Sequence, residues 1–253
     1  VLGVKTLWTV LLAVVVMFAQ VIGGVLLASP LPAGMVRELA GPLGITLTGL
    51  LLVYLIRRFL DRRPWPALGW HRPSLLFAGV LAGALPILAA QGVSLAVGAV
   101  TWVRADPSLY AWVPLTAVVL LLNQAFPEEL LWRGHVVDSL SARLSPRAVV
   151  IVSSVAFGAL HIISNSPADG VVERLLYVVM ATALGFACTA ARLRSGGLWM
   201  AVGVHLGFHL ALRVLPLEPV HYGVALVLQA VLLALAGLIL LRPAQERSVR
   251  QST

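Results

Sequence analysis

The chain has 253 residues, of which 60% are hydrophobic and 11% charged, with a mean hydropathy of +0.96; soluble domains average about 25% charged. This excludes a soluble globular domain, and also a signal peptide followed by one, because the apolar runs are too many and too long. The net charge of +8 does not point to nucleic acid either, since the basic residues are scattered through short connections instead of forming a face or stripe.

Eight apolar segments follow one another, at 7–28, 39–56, 75–100, 113–132, 148–163, 175–191, 198–212 and 222–241. The expected fold is an all-α, polytopic integral membrane bundle of about eight transmembrane helices, a single domain over residues 1–253. No A-x-A-like cleavage site follows the first segment, so it is expected to remain as a membrane anchor. With the N-terminus inside, all but four of the 18 Lys and Arg (Arg37, Arg104, Arg174 and Arg213) fall on the inner side. The positive-inside rule then supports an N-in, C-in topology, in a membrane of the bacterial plasma type.

The 57–73 connection carries Pro64, Trp65, Pro66, Trp70 and Pro73 and reads as an interfacial loop with no function of its own. In the third segment Gly79 and Gly83 match the small-xxx-small pattern; Gly41 with Gly44, and Gly92 with Gly98, match it loosely, and close helix packing is expected for all. The fifth and seventh segments are short and bear polar residues, which places them centrally. Cys188, the one cysteine, forms no intramolecular disulfide and no cysteine metal cluster, and is expected to serve packing. The polar tail from Arg242 is expected to fray.

Running past the end of the fourth segment lies Phe126-Pro127-Glu128-Glu129-Leu130-Leu131-Trp132-Arg133-Gly134. Ionisable groups are costly in a membrane helix and usually face a polar interior, so this stretch is the first candidate site. Glu129 and Arg133, four apart, can pair on one face, whereas Glu128 is rotated by about 100°. Pro127 removes a backbone donor and crowds the carbonyl of Asn123, which predicts a kink just before the carboxylates. A helical hairpin turning at Ser145-Pro146 brings His161 to the depth of Glu128. His205 and His209 lie one turn apart on a common face, a spacing that suits two metal ligands or two hydrogen-bond donors aimed at one point. His71, His135 and His221 are expected at interfaces.

Two chemistries fit these residues. Glu128 and His161 can activate water while His205 and His209 stabilise the oxyanion formed on a peptide carbonyl. Alternatively Glu128, His161, His205 and His209 can ligate zinc and its activated water. A packing role for the charges is the non-catalytic counterpart.

The three motifs, Glu128-Glu129 with Arg133, Phe157 with His161, and His205 with position 209, resemble the CPBP family of CAAX proteases and bacteriocin-processing enzymes. Its pattern is Glu-Glu-x-x-x-Arg, then Phe-x-x-x-His, then His-x-x-x-Asn or Asp. The likeness covers a peptidase core of about residues 113–213. It implies an eight-helix intramembrane endopeptidase with a cavity open to the cytoplasm, acting near the C-terminus of a lipidated or membrane-associated peptide. It implies that Glu128 and His161 activate water, that His205 and residue 209 bind the oxyanion, and that Glu129 and Arg133 hold the site together. Family members are labelled metalloproteases, although a metal-free glutamate mechanism has been argued for relatives. His209 departs from the pattern. That departure leaves a catalytically inactive scaffold or immunity protein, binding a membrane partner in the same cavity, as the alternative.

Overall fold

The structure, a computed structural model, describes residues 3–104 and 107–242; the tail beyond Arg242, with Arg247 and Arg250, lies outside them. Among the described residues eight long helices form the bundle: α1 (Val4–Ala28), α2 (Met35–Leu60), α3 (Leu75–Ala96), α4 (Tyr110–Ser141), α5 (Pro146–Ile163), α6 (Gly170–Ser195), α7 (Trp199–Val214) and α8 (Tyr222–Leu241). All but α7 are long and apolar enough to cross a membrane. The chain is therefore an all-α polytopic integral membrane protein. At 16 residues, α7 spans only about 24 Å at about 1.5 Å per residue, and most of its side chains are buried.

Glycines set the position of α7. A Cβ on Gly79 or Gly83 would overlap the backbone carbonyl of Met200 or Val204, and one on Gly203 or Gly207 would overlap that of Leu76 or Val80. Small residues on both helices thus let α3 and α7 backbones touch. His205 lies between Gly203 and Gly207 and is fixed by that contact. Gly44 similarly approaches Gly24 between α2 and α1, where an added Cβ would sit 2.9 Å from the Gly24 Cα. Gly92 and Gly98 do not pack: each has open space around it, and Gly98, at φ 74°, turns the chain out of α3. The third segment accordingly ends at Ala96. It is followed by β1 (Val100–Trp102), which pairs antiparallel with β2 (Leu217–Pro219) and ties the α3–α4 connection to the α7–α8 connection.

The kink expected at Pro127 takes the form of a π-bulge. Residues Leu121–Ala125 and Leu130–Val136 are π-helical, on either side of a short α turn, Phe126–Glu129. The Phe126 N–H donates to the Leu121 carbonyl, five residues back. Pro127 has no N–H with which to continue that register. Thr46 of α2 supplies the missing donor, its hydroxyl reaching the Leu122 carbonyl at 2.5 Å.

At the arginine-rich end the 57–73 connection is wedged into the bundle, where an interfacial loop was expected. Leu68 is fully buried, the Leu198 N–H donates to the Gly69 carbonyl (2.7 Å), and Trp199 Nε1–H donates to that of Trp70 (2.8 Å). Arg192 bridges the Arg133 and Ala67 carbonyls. Arg57 and Arg63 both bind Asp138 (2.9 and 2.7 Å), and hydrogen bonding to Asp138 raises Arg63 above the ordinary arginine value. His135, expected at an interface, is buried next to this network with Nε2 3.6 Å from Asp61. The π-widened turn rotates it inward.

Candidate active site

Glu129, Arg133 and His205 form the buried half of the site. Arg133 Nη1 donates to Glu129 Oε1 (2.9 Å), with both side chains at 0% exposure. The same oxygen accepts from His205 Nδ1–H at 2.8 Å. Arg133 Nη2 donates to the Gly185 carbonyl of α6 (2.9 Å), and its guanidinium stands 4.4 Å from the centre of the Phe157 ring. A buried charge pair needs further partners to offset its desolvation; the carbonyl, the aromatic face and the imidazole provide them.

Phe157 explains its own place four residues before His161. Its ring meets Arg133 on its face and His205 at 6.0 Å and 90°. Its carbonyl accepts from His161 Nδ1–H at 3.0 Å. Because a carbonyl only accepts, the proton is on Nδ1 and Nε2 of a neutral His161 keeps its lone pair. The α-helical part of α5 ends at Ala159, so His161 is carried by a 3₁₀ turn, Leu160–Ile163, beside Tyr177 of α6, ring to ring 5.8 Å.

The same bookkeeping applies to α7. His205 donates from Nδ1 to a carboxylate, so Nε2 of the neutral ring is an acceptor. It lies 3.1 Å from His209 Nε2, which therefore carries the proton, and His209 Nδ1 faces Arg213 Nη1 at 3.5 Å. Hydrogen bonds run in one direction from Arg213 through His209 and His205 to Glu129. Glu128, by contrast, makes no side-chain hydrogen bond among the described residues and is only partly buried; His161 and His209 are also only partly buried.

The four groups Glu128, His161, His205 and His209 do not converge as a metal-ligand set. Among the described residues, the cluster of three donors within 4.8 Å of one another is Glu129, Cys188 and His205. The observed trio also suits a cation poorly. Glu129 Oε1 already accepts from a guanidinium and an imidazole, and Arg133 would repel a metal placed there. Cys188, expected to serve packing, is buried beside this carboxylate.

The sequence reading did not identify Tyr177, Gly185 or Cys188 of α6 as site neighbours. A Cβ on Gly185 would lie 3.0 Å from the Phe157 ring and 3.2 Å from Arg133. The available signal was their spacing, since positions 177, 185 and 188 fall on one helical face.

No curated protein matches the chain. Residues 110–211, which include every motif residue from Glu128 to His209, match the family model described as type II CAAX prenyl endopeptidase Rce1-like. The Glu129–Arg133–His205 core and the Phe157–His161 turn lie inside the matched segment, which supports a likeness of this region to the CPBP family of CAAX-type proteases.

Proposed function

We propose that the protein is an intramembrane endopeptidase that hydrolyses one amide bond of a lipidated or membrane-associated peptide without a covalent intermediate. The observation that supports it most is the division of labour between neighbours: Glu129 is buried with Oε1 held by both Arg133 and His205, while Glu128, on the same turn, keeps its carboxylate free among the described residues. A water between Glu128 and His161 gives one proton to Glu128 and hydrogen-bonds through the other to His161 Nε2. Its oxygen adds to the peptide carbonyl. The oxyanion is held by His209 Nε2–H, redirected from His205, whose ring is kept in place by Glu129. Collapse breaks the C–N bond as Glu128 returns the proton to the leaving nitrogen, and the new carboxyl group passes its own proton to that amine, so that a carboxylate and an ammonium depart. By the positive-inside rule both termini lie on the arginine-rich, cytoplasmic side, while His161 and His209 lie towards the opposite ends of α5 and α7.

The test is cleavage of a panel of membrane peptides, with and without a C-terminal lipid, by the detergent-purified protein. Activity should fall by at least about 10²-fold in both Glu128→Gln and His161→Ala, and His209→Asn should keep or improve it. Turnover that persists above that level in the first two variants would sink the proposal. The contact between His205 and His209 favours one second reading, an inactive scaffold, because it occupies the donor that an oxyanion needs. That reading gains if a Glu128→Ala, His161→Ala double variant fully supports the cellular phenotype.

A further inference from the structure

Outside the peptidase site, a cavity of about 440 Å³ opens where α2 leaves the bundle, lined by Tyr54, Arg57, Arg58, Arg62, Arg63 and Trp65, among others. We infer that this cavity binds the phosphate of an anionic glycerophospholipid, whose acyl chains lie along the exposed face of α2.

The four arginines are not equivalent. Arg57 and Arg63 are committed to Asp138, and Arg57 also donates to the Pro64 carbonyl at 2.5 Å. Arg58 and Arg62 make no hydrogen bond among the described residues. Arg57 is 1% exposed, yet its buried Nε–H has no partner. Buried donors are almost always paired, so a residue lining this basic cavity carries an unmet donor behind its surface. Arg62 is in addition one of two non-glycine residues at positive φ among those described, at 51°, a conformation that usually persists where function requires it.

The surroundings favour a lipid over a free anion or a peptide. Leu51, Tyr54, Leu55, Phe59 and Leu60 are exposed on the same helix. Positions 51, 55 and 58 follow one another at helical spacing, so an apolar stripe leads to Arg58, and Arg62 follows just past the end of the helix. Trp65 closes the other wall, edge to face with Tyr54 at 5.8 Å, in the kind of aromatic and basic setting found at headgroup depth. The site stands independently of the peptidase reading.

The test is native mass spectrometry of the detergent-purified full chain titrated with phosphatidylglycerol, with phosphatidylcholine of identical chains, or with inorganic phosphate. Phosphatidylglycerol should bind roughly tenfold more tightly than phosphatidylcholine, and Arg58→Gln, Arg62→Gln should remove that preference. The Lys double variant should retain most of it. Arg147→Gln, an exposed arginine at the same end of the bundle, should leave it unchanged. A preference that survives the Gln double variant, or that Arg147→Gln reduces as much, overturns the site. Inorganic phosphate binding as tightly as the lipid overturns the lipid assignment. The two single Gln variants are read by the same criteria if the double variant does not purify.

Discussion

Glu128 and Glu129 are adjacent in sequence and differ in nearly everything else. Glu129 is fully buried and accepts from Arg133 and His205, and through them is joined to α6, α5 and α7. Glu128 is partly accessible and unbonded. The same split runs through the rest of the site: Arg133 and His205 are closed in, whereas His161 and His209 are only partly buried. A carboxylate can hold a fold together or move a proton, but one closed off from solvent against a guanidinium and an imidazole is poorly placed to take a proton from water. The bundle separates the two tasks by about 100° of helix rotation.

The sharpest way to break this comparison is to neutralise Glu128 and, separately, to remove the cation that holds Glu129. Glu128→Gln should lower turnover by about 10²- to 10⁴-fold, the usual contribution of a positioned acid–base group, while leaving thermal unfolding in detergent nearly unchanged. Arg133→Met should do the reverse in kind. It leaves Glu129 buried and without its cation, a change that costs about 3–5 kcal/mol, read as a lowered unfolding midpoint before any assay of activity. Equal loss of stability in the two variants would show that both carboxylates are structural.

Much of this division was legible from spacing alone. The Glu129–Arg133 pair follows from four residues on a helix, and the eight helices follow from apolar runs that a bilayer demands. The hairpin at Ser145-Pro146 is visible in a serine N-cap followed by proline, and Ser145 Oγ does accept from the Ala148 N–H. What could not be read were events that depend on a distant partner. Arg57 and Asp138 are 81 positions apart, and nothing in either neighbourhood announces that they meet or that His135 is drawn in beside them. Nor does a proline specify how a helix will absorb it: a sharp bend and a π-bulge begin from the same missing N–H, and the choice rests on what the neighbouring helix can donate.

The glycine contact between α3 and α7 sharpens the comparison from the other side, since it carries His205 and His209 without touching either carboxylate. In Gly83→Ala the new methyl meets the Val204 backbone, which has no rotamer to change. The expected cost is about 3 kcal/mol, the upper part of the usual range for overpacking. Because α7 must move as a body, activity should fall with stability, unlike in Glu128→Gln. A variant with normal stability and activity would mean that the two backbones are not in contact.

The smallest expected effect tests how the carboxylate turn is held. Pro127 leaves the Leu122 carbonyl without its donor in the π register, and the Thr46 hydroxyl from α2 fills that role while itself buried. Thr46→Val keeps the shape and removes the donor. The stranded carbonyl should then cost about 1–2 kcal/mol, within the range for a buried unsatisfied acceptor. Thr46→Ser keeps the hydroxyl and should recover most of that loss. If the bulge exists to aim Glu128, Thr46→Val also lowers turnover at unchanged substrate affinity, whereas a purely structural bulge shifts the unfolding midpoint alone. The comparison between the two glutamates then reaches its cause: a proline that cannot donate, and a threonine on another helix that can.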